Sequence, residues 1–111
     1  MDTPLTWTEF ERVEMRVGTV LEAEPNAKAR KPALILHLDL GPLGILKSSA
    51  QITDHYQSEQ LTGRQVVAVV NFPPKQIAGM ISQCLVLGAM DESGVVLLAV
   101  DQAVPNGTRI G

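Results

Sequence analysis

Leu34-Ile35-Leu36-His37-Leu38-Asp39-Leu40 decides the fold. Leucine recurs at every second position while Ile35, His37 and Asp39 fall between, and a period of two is the signature of a half-buried strand. Gly41-Pro42-Leu43-Gly44 follows as a turn, so Ile45 to Ser49 returns antiparallel as the next strand. Upstream, Pro25-Asn26 and the basic loop Lys28-Ala29-Arg30-Lys31-Pro32 interrupt the chain. Arg16 to Ala23 before them reads as a first strand, with Gly18 permitting a bend or bulge.

Downstream, Asp54 to Gly63 reads as one short helix that Gly63 ends. Val66-Val67-Ala68-Val69-Val70 is apolar throughout, as a strand covered on both faces requires. It stops at Asn71-Phe72-Pro73-Pro74-Lys75, because neither proline has an N–H for a ladder. Leu85 to Ala89 and Val95 to Val100 form a last hairpin around Asp91-Glu92-Ser93-Gly94. At the start, Thr6 and Glu9 are spaced as a capping box, with Leu5 and Phe10 as its hydrophobic staple, which predicts a short N-terminal helix. The fold class is therefore all-β: a five-stranded OB-fold barrel with short N-terminal and mid-chain helices, a small β-sandwich being the rival.

The 111 residues make one domain, 1–111. Hydrophobic residues are 45% of the chain and aromatics only 4%, so aliphatic side chains must fill the core. Cys84 is the only cysteine and lies in the apolar run Cys84-Leu85-Val86-Leu87, which excludes an internal disulfide and favours a buried, inert thiol. No apolar stretch reaches membrane-span length. Met1-Asp2-Thr3-Pro4 has neither the basic nor the apolar region of a secretory signal. A reduced, cytoplasmic protein without membrane insertion is the expectation.

Net charge is −3, unevenly spread. Residues 1–27 carry −4, residues 28–75 carry +3 and residues 76–111 carry −2. Folding can turn that basic middle into a positive face, or leave its charges scattered and solvated.

His37 and His55 are the only histidines, and no spacing suggests a nucleophile–base pair or a phosphate loop; ligation of a metal by the two with Asp39 is the outside alternative. The expectation is no catalytic residue, no metal and no cofactor. Three polar stretches remain. Lys28, Arg30 and Lys31 can neutralise phosphates, or form a solvated loop. Lys47-Ser48-Ser49-Ala50-Gln51-Ile52-Thr53 offers small hydrogen-bonding side chains, for a ligand or for turns and caps. The consecutive prolines of Asn71-Phe72-Pro73-Pro74-Lys75-Gln76-Ile77-Ala78-Gly79 hold that loop rigid. It can then present Phe72 and Ile77 as a ledge, or pack as a lid.

These stretches, with Arg16-Val17-Gly18-Thr19-Val20, Leu85-Val86-Leu87-Gly88 and Val104-Pro105-Asn106-Gly107-Thr108, resemble the CsaA-type export-related chaperones of the tRNA-binding-domain family. The likeness runs from about Phe10 to Gly111, and implies an OB-fold homodimer without catalytic chemistry. It implies unfolded or precursor polypeptides as partners, and tRNA as the alternative. Where the tRNA-binding modules carry Ser-x-Gly-Met, this chain has Ser82-Gln83-Cys84-Leu85, of which only Ser82 matches.

The polypeptide-binding set expected is Ser48, Ser49, Gln51, Asn71, Phe72, Pro74, Gln76 and Ile77. The RNA-binding set is Lys28, Arg30, Lys31, Lys47, Asn71, Lys75 and Ser82. Trp7 and Phe10, with the C-terminal hairpin, are expected at the dimer interface, since so few aromatics would otherwise not sit near a chain end.

Overall fold

The structure, a computed structural model, describes residues 3–111. Met1 and Asp2, where the reading for a leader begins, lie outside the described residues. A six-stranded sheet carries the barrel, in the order β3-β2-β1-β4-β7 with β10 beside β1. Its strands are β1 (Met15–Pro25), β2 (Leu34–Asp39), β3 (Ile45–Ala50), β4 (Gln65–Val69), β7 (Leu85–Val86) and β10 (Arg109–Ile110). Two small hairpins complete it: β5 (Lys75–Ile77) with β6 (Met80–Ser82), and β8 (Gly88–Asp91) with β9 (Gly94–Leu97).

The leucine alternation does what its period requires. Leu34, Leu36, Leu38 and Leu40 are buried, and Ile35, His37 and Asp39 between them are only partly covered. β2 pairs antiparallel with β3 in unbroken register, Leu34 opposite Ala50 through Asp39 opposite Ile45. Around these leucines gather Val20, Ile52, Leu61, Val66, Ala68 and Cys84, an almost wholly aliphatic core. β4 is buried on both faces, with Val66, Val67, Ala68 and Val69 all inaccessible.

β1 holds the barrel together by pairing twice. Its first half runs antiparallel to β4, from Met15 opposite Val69 to Thr19 opposite Gln65. Its second half runs antiparallel to β2, from Thr19 opposite Asp39 to Pro25 opposite Leu34. The register shifts between Val20 and Glu22, so Leu21 is the extra residue and the strand bends there. The bend expected at Gly18 is thus displaced by three residues. Gly18 is needed for room instead: a Cβ there would come within 2.8 Å of Leu40 Cδ2.

A capped helix, α1 (Trp7–Glu11), forms as read. The Thr6 side chain accepts from the Glu9 N–H at 3.1 Å, and Glu9 Oε1 accepts from the Thr6 N–H at 3.0 Å. These bonds from Thr6 hold the Glu9 carboxyl below its ordinary range. The mid-chain helix is corrected: the 54–63 segment holds turns and one 3-10 turn, Ser58–Gln60. Tertiary contacts override its weak helical propensity. Leu61 is drawn fully into the core, and the Tyr56 hydroxyl accepts from the Leu97 N–H at 3.0 Å.

The last hairpin also divides differently. Leu85 and Val86 extend the barrel on β4, and the hairpin proper turns at Glu92-Ser93 between β8 and β9. Among the described residues no helix is long and apolar enough to cross a membrane.

Candidate functional site

β3 is an edge strand whose outer N–H and C=O groups need partners, since buried or half-buried backbone groups are costly unpaired. Residues 82–84 supply them. Gln83 N–H donates to Lys47 O at 2.8 Å, and Lys47 N–H donates to Gln83 Oε1 at 2.9 Å. Ser49 N–H donates to Ser82 Oγ at 3.1 Å, and that hydroxyl donates in turn to Cys84 O at 3.4 Å. Side chains thus close the barrel where a regular ladder would otherwise run.

Closing it this way leaves room outside. The Phe72–Pro74 lead-in and the β5–β6 hairpin stand off the closure, enclosing an open cleft of about 500 Å³. Phe72, Pro73, Pro74, Ile77 and Leu85 form its apolar walls, and Ser49, Lys75, Ser82, Gln83 and Cys84 also line it. Strand alternation decides which residues of β5 take part: Lys75 and Ile77 line the cleft, whereas Gln76 pairs with the exposed Ile81 and does not. Phe72 remains 55% exposed although it is large and apolar. The Pro-Pro stretch is therefore a ledge, not a lid. A second hollow, of about 500 Å³, lies across Phe72 and Pro73 and is lined by Glu9, Arg12, Val13, Val69 and Asn71.

Several expected residues turn out to be structural. Ser48 is wholly buried on the core side of β3 and is out of a ligand's reach. Asn71 ties down the N-terminal segment: its Oδ1 accepts from Glu14 N–H at 3.0 Å, and its Nδ2 donates to Arg12 O at 2.6 Å. Ser82 is buried and its hydroxyl is used in closure. Gln51 is exposed just past β3 but does not line the cleft. From the polypeptide-binding set, Ser49, Phe72, Pro74 and Ile77 come together. Gln83 and Leu85 join them. The sequence reading missed both, although they alternate with Ser82 and Cys84 beside β3, a period-of-two signal.

Among the cations, Lys75 lines the cleft. Lys28 does not line it; its stem lies across Gly79, between β5 and β6, so closely that a Cβ there would come within 2.6 Å of Lys28 Cδ. Arg30 and Lys31 are exposed on the same loop, and Lys47 is half-buried on the outward side of β3. That loop is fixed at its base by buried Asn26, whose Oδ1 accepts from Lys28 N–H at 3.1 Å. Among the described residues the ion pairs are Arg16–Glu14, at 2.7 Å, and His37–Glu24, at 4.0 Å, so Lys28, Lys47 and Lys75 carry unpaired charge.

The Cys84 thiol is buried, and burial pushes it up to about 11, so it is held as a thiol rather than a nucleophilic thiolate. Among the described residues no cluster of three His, Cys, Asp or Glu side chains could hold a metal ion. Trp7 is 81% exposed, and Phe10 lines a small hollow with Val13, Arg109 and Ile110.

A family model described as "Putative tRNA binding domain" matches residues 15–109, nearly the whole barrel. The chain belongs to the tRNA-binding domain family. Within that family it is 43% identical over 107 residues to methionine–tRNA ligase 1 of Bacillus anthracis, and 38% identical over 106 residues to methionine–tRNA ligase of Bacillus subtilis (strain 168). Each match covers 96% of this chain but 16% of the ligase, so the chain spans a small part of these curated relatives.

Among solved structures, the chaperone CsaA of Bacillus anthracis str. Ames superposes with a TM-score of 0.92 at 47% identity. That match covers 98% of this chain and 100% of the other. CsaA of Picrophilus torridus also gives 0.92, at 42% identity, covering 97% and 100%. A MetRS related protein from Pyrococcus horikoshii gives 0.87 at 33% identity, covering 98% and 99%. This is a CsaA-type member of the tRNA-binding domain family, with its all-β, OB-type barrel.

Proposed function

We propose that this protein is a non-enzymatic, cytoplasmic molecular chaperone that binds unfolded or precursor polypeptides for protein export. The observation that carries the reading is the apolar cleft beside barrel closure, with Phe72 projecting 55% exposed from a proline-stiffened stretch. A folded domain gains nothing by exposing that ring, whereas a ligand that covers it gains apolar burial. Ile77, Pro74 and Leu85 extend the same surface. Ser49, Lys75 and Gln83 stand beside it to hold a main chain. The cleft is open and shallow, so selectivity is broad and affinity modest. The CsaA structures of similar shape, covered over their whole chains, are named chaperones, which supports the same reading. Suppression of aggregation of a chemically unfolded protein tests it. Stoichiometric suppression without nucleotide is expected, and none at tenfold excess overturns the reading.

A second reading, binding of tRNA, is favoured by the family match and by the cations Lys28, Arg30, Lys31, Lys47 and Lys75 on the basic middle of the chain. Phosphate-driven binding weakens with salt by about one log unit per log salt for each contact. A titration of labelled tRNA between low and moderate salt reads that slope, and no binding at low salt removes this reading.

We also infer a homodimer. Trp7 is 81% exposed, and Leu5, Val96 and Leu98 on α1's approach and the last hairpin are exposed as well. Sedimentation equilibrium at micromolar concentration is expected to give twice the chain mass, and a monomer contradicts the inference.

A further inference from the structure

The hydrogen-bonding capacity left over in the cleft leans toward donors. Gln83 Oε1 is taken by the Lys47 N–H at 2.9 Å, and because that partner is a donor the amide orientation is fixed. Besides the second lone pair of that oxygen, what Gln83 has left is its Nε2, which can only donate. Ser82 Oγ accepts from Ser49 N–H and donates to Cys84 O, so it has little to offer a ligand. Lys75 lines the cleft with a cation that has no ion-pair partner among the described residues. Ser49 adds a hydroxyl that can turn either way. No carboxylate lines the cleft.

Two of the residues lining the apolar cleft walled by Phe72, Pro74, Ile77 and Leu85 thus carry an amide donor and an unpaired ammonium. A ligand that fills the pocket with hydrocarbon alone strips water from these donors and returns nothing, which costs free energy. A ligand that brings an anionic acceptor next to its apolar body satisfies both, through charge-assisted bonds.

We propose that the cleft selects polypeptide segments in which a carboxylate lies beside a bulky apolar side chain. The proposal rests on the polypeptide-binding reading above and specifies its ligand. The carboxylate has two chemical sources, an Asp or Glu side chain or the free C-terminus of a chain, and both present the same group to Lys75 and Gln83.

Fluorescence anisotropy with labelled hexapeptides tests this. One peptide carries Glu beside Leu-Leu and an amidated end, a second has Gln in place of Glu, and a third ends in Leu-Leu with a free carboxylate. The Glu peptide is expected to bind about tenfold tighter than its Gln isostere, the size of one charge-assisted bond in an open site. If only the free-ended peptide gains, the C-terminus is the source. If only the Glu peptide gains, internal acidic residues are.

Gln83→Glu keeps an acceptor for Lys47 N–H while replacing the donor Nε2 with an anionic oxygen. It is expected to abolish the preference for the Glu peptide over the Gln peptide. Lys75→Gln should cut the preference without touching barrel closure. Equal affinity of all three peptides for the unaltered protein overturns the proposal while leaving polypeptide binding intact. Binding of none of them, nor of a longer unfolded chain, overturns both. Displacement of the Glu peptide by a short single-stranded RNA at lower concentration than by unlabelled peptide assigns the donors to phosphate, and also overturns it.

Discussion

Phe72→Ser removes the largest exposed apolar group of the cleft. A phenylalanine side chain offers about 200 Å² for burial. With 55% of Phe72 exposed in the free chain, about 110 Å² remains for a ligand to cover. At about 25 cal/mol per Å² that is worth up to about 2.7 kcal/mol. Association recovers only part of such area, because ordering and imperfect desolvation oppose it. An open cleft that covers half the ring gives about 1.4 kcal/mol, or a tenfold weaker complex. The assay is anisotropy of a labelled, reduced and carboxymethylated polypeptide, with urea denaturation of each variant as the control. Phe72→Ser is expected to weaken binding about tenfold and, because the covered part of the ring is packed in the fold, to lower stability by up to about 2 kcal/mol. Affinity within twofold of the unaltered protein refutes the reasoning, since the ring would then touch no ligand.

Other expectations concern what builds the cleft. Ser82→Ala leaves the Ser49 N–H without its acceptor, and urea denaturation should show a loss of about 1–3 kcal/mol. Gly18→Ala forces a methyl group within 2.8 Å of Leu40 Cδ2 and should cost about 1–3 kcal/mol by the same measurement. Cys84 titrates later in the fold, at about 11 against an ordinary 9.0, so its stabilising effect is complete below pH 9 and lost as pH rises to 11. Across that window stability should fall by about 2–3 kcal/mol more in the unaltered protein than in Cys84→Ala.

Where a residue's neighbours are near in sequence, its place was legible. The leucine alternation, the capping box at Thr6 and Glu9 and the apolar run at Val66 each declare a local period, and each forms as read. The 54–63 segment misled because its fate is set from afar, by the Leu97 N–H on the Tyr56 hydroxyl and by burial of Leu61. The β1 bulge lies at Leu21, just past Thr19 where the strand passes from β4 to β2, which no local signal reports.

The site was half visible. Proline rigidity pointed to Phe72 and Ile77, and both line the cleft. Polar side chains were harder, because an isolated sequence does not tell a ligand-binding hydroxyl from one that closes a barrel. Ser82 is used in closing the barrel, Asn71 ties down the N-terminal segment, and Ser48 is buried. Gln83 was overlooked because its use depends on Lys47, 36 residues away.

Amide chemical shifts of the nitrogen-15-labelled protein, followed while an unfolded polypeptide is titrated in, test the central claim most directly. The account predicts that Ser49, Phe72, Lys75, Ile77, Gln83 and Leu85 move together and saturate with one affinity. Shifts confined to the Lys28–Lys31 loop or to the β8–β9 hairpin, with the cleft silent, contradict it.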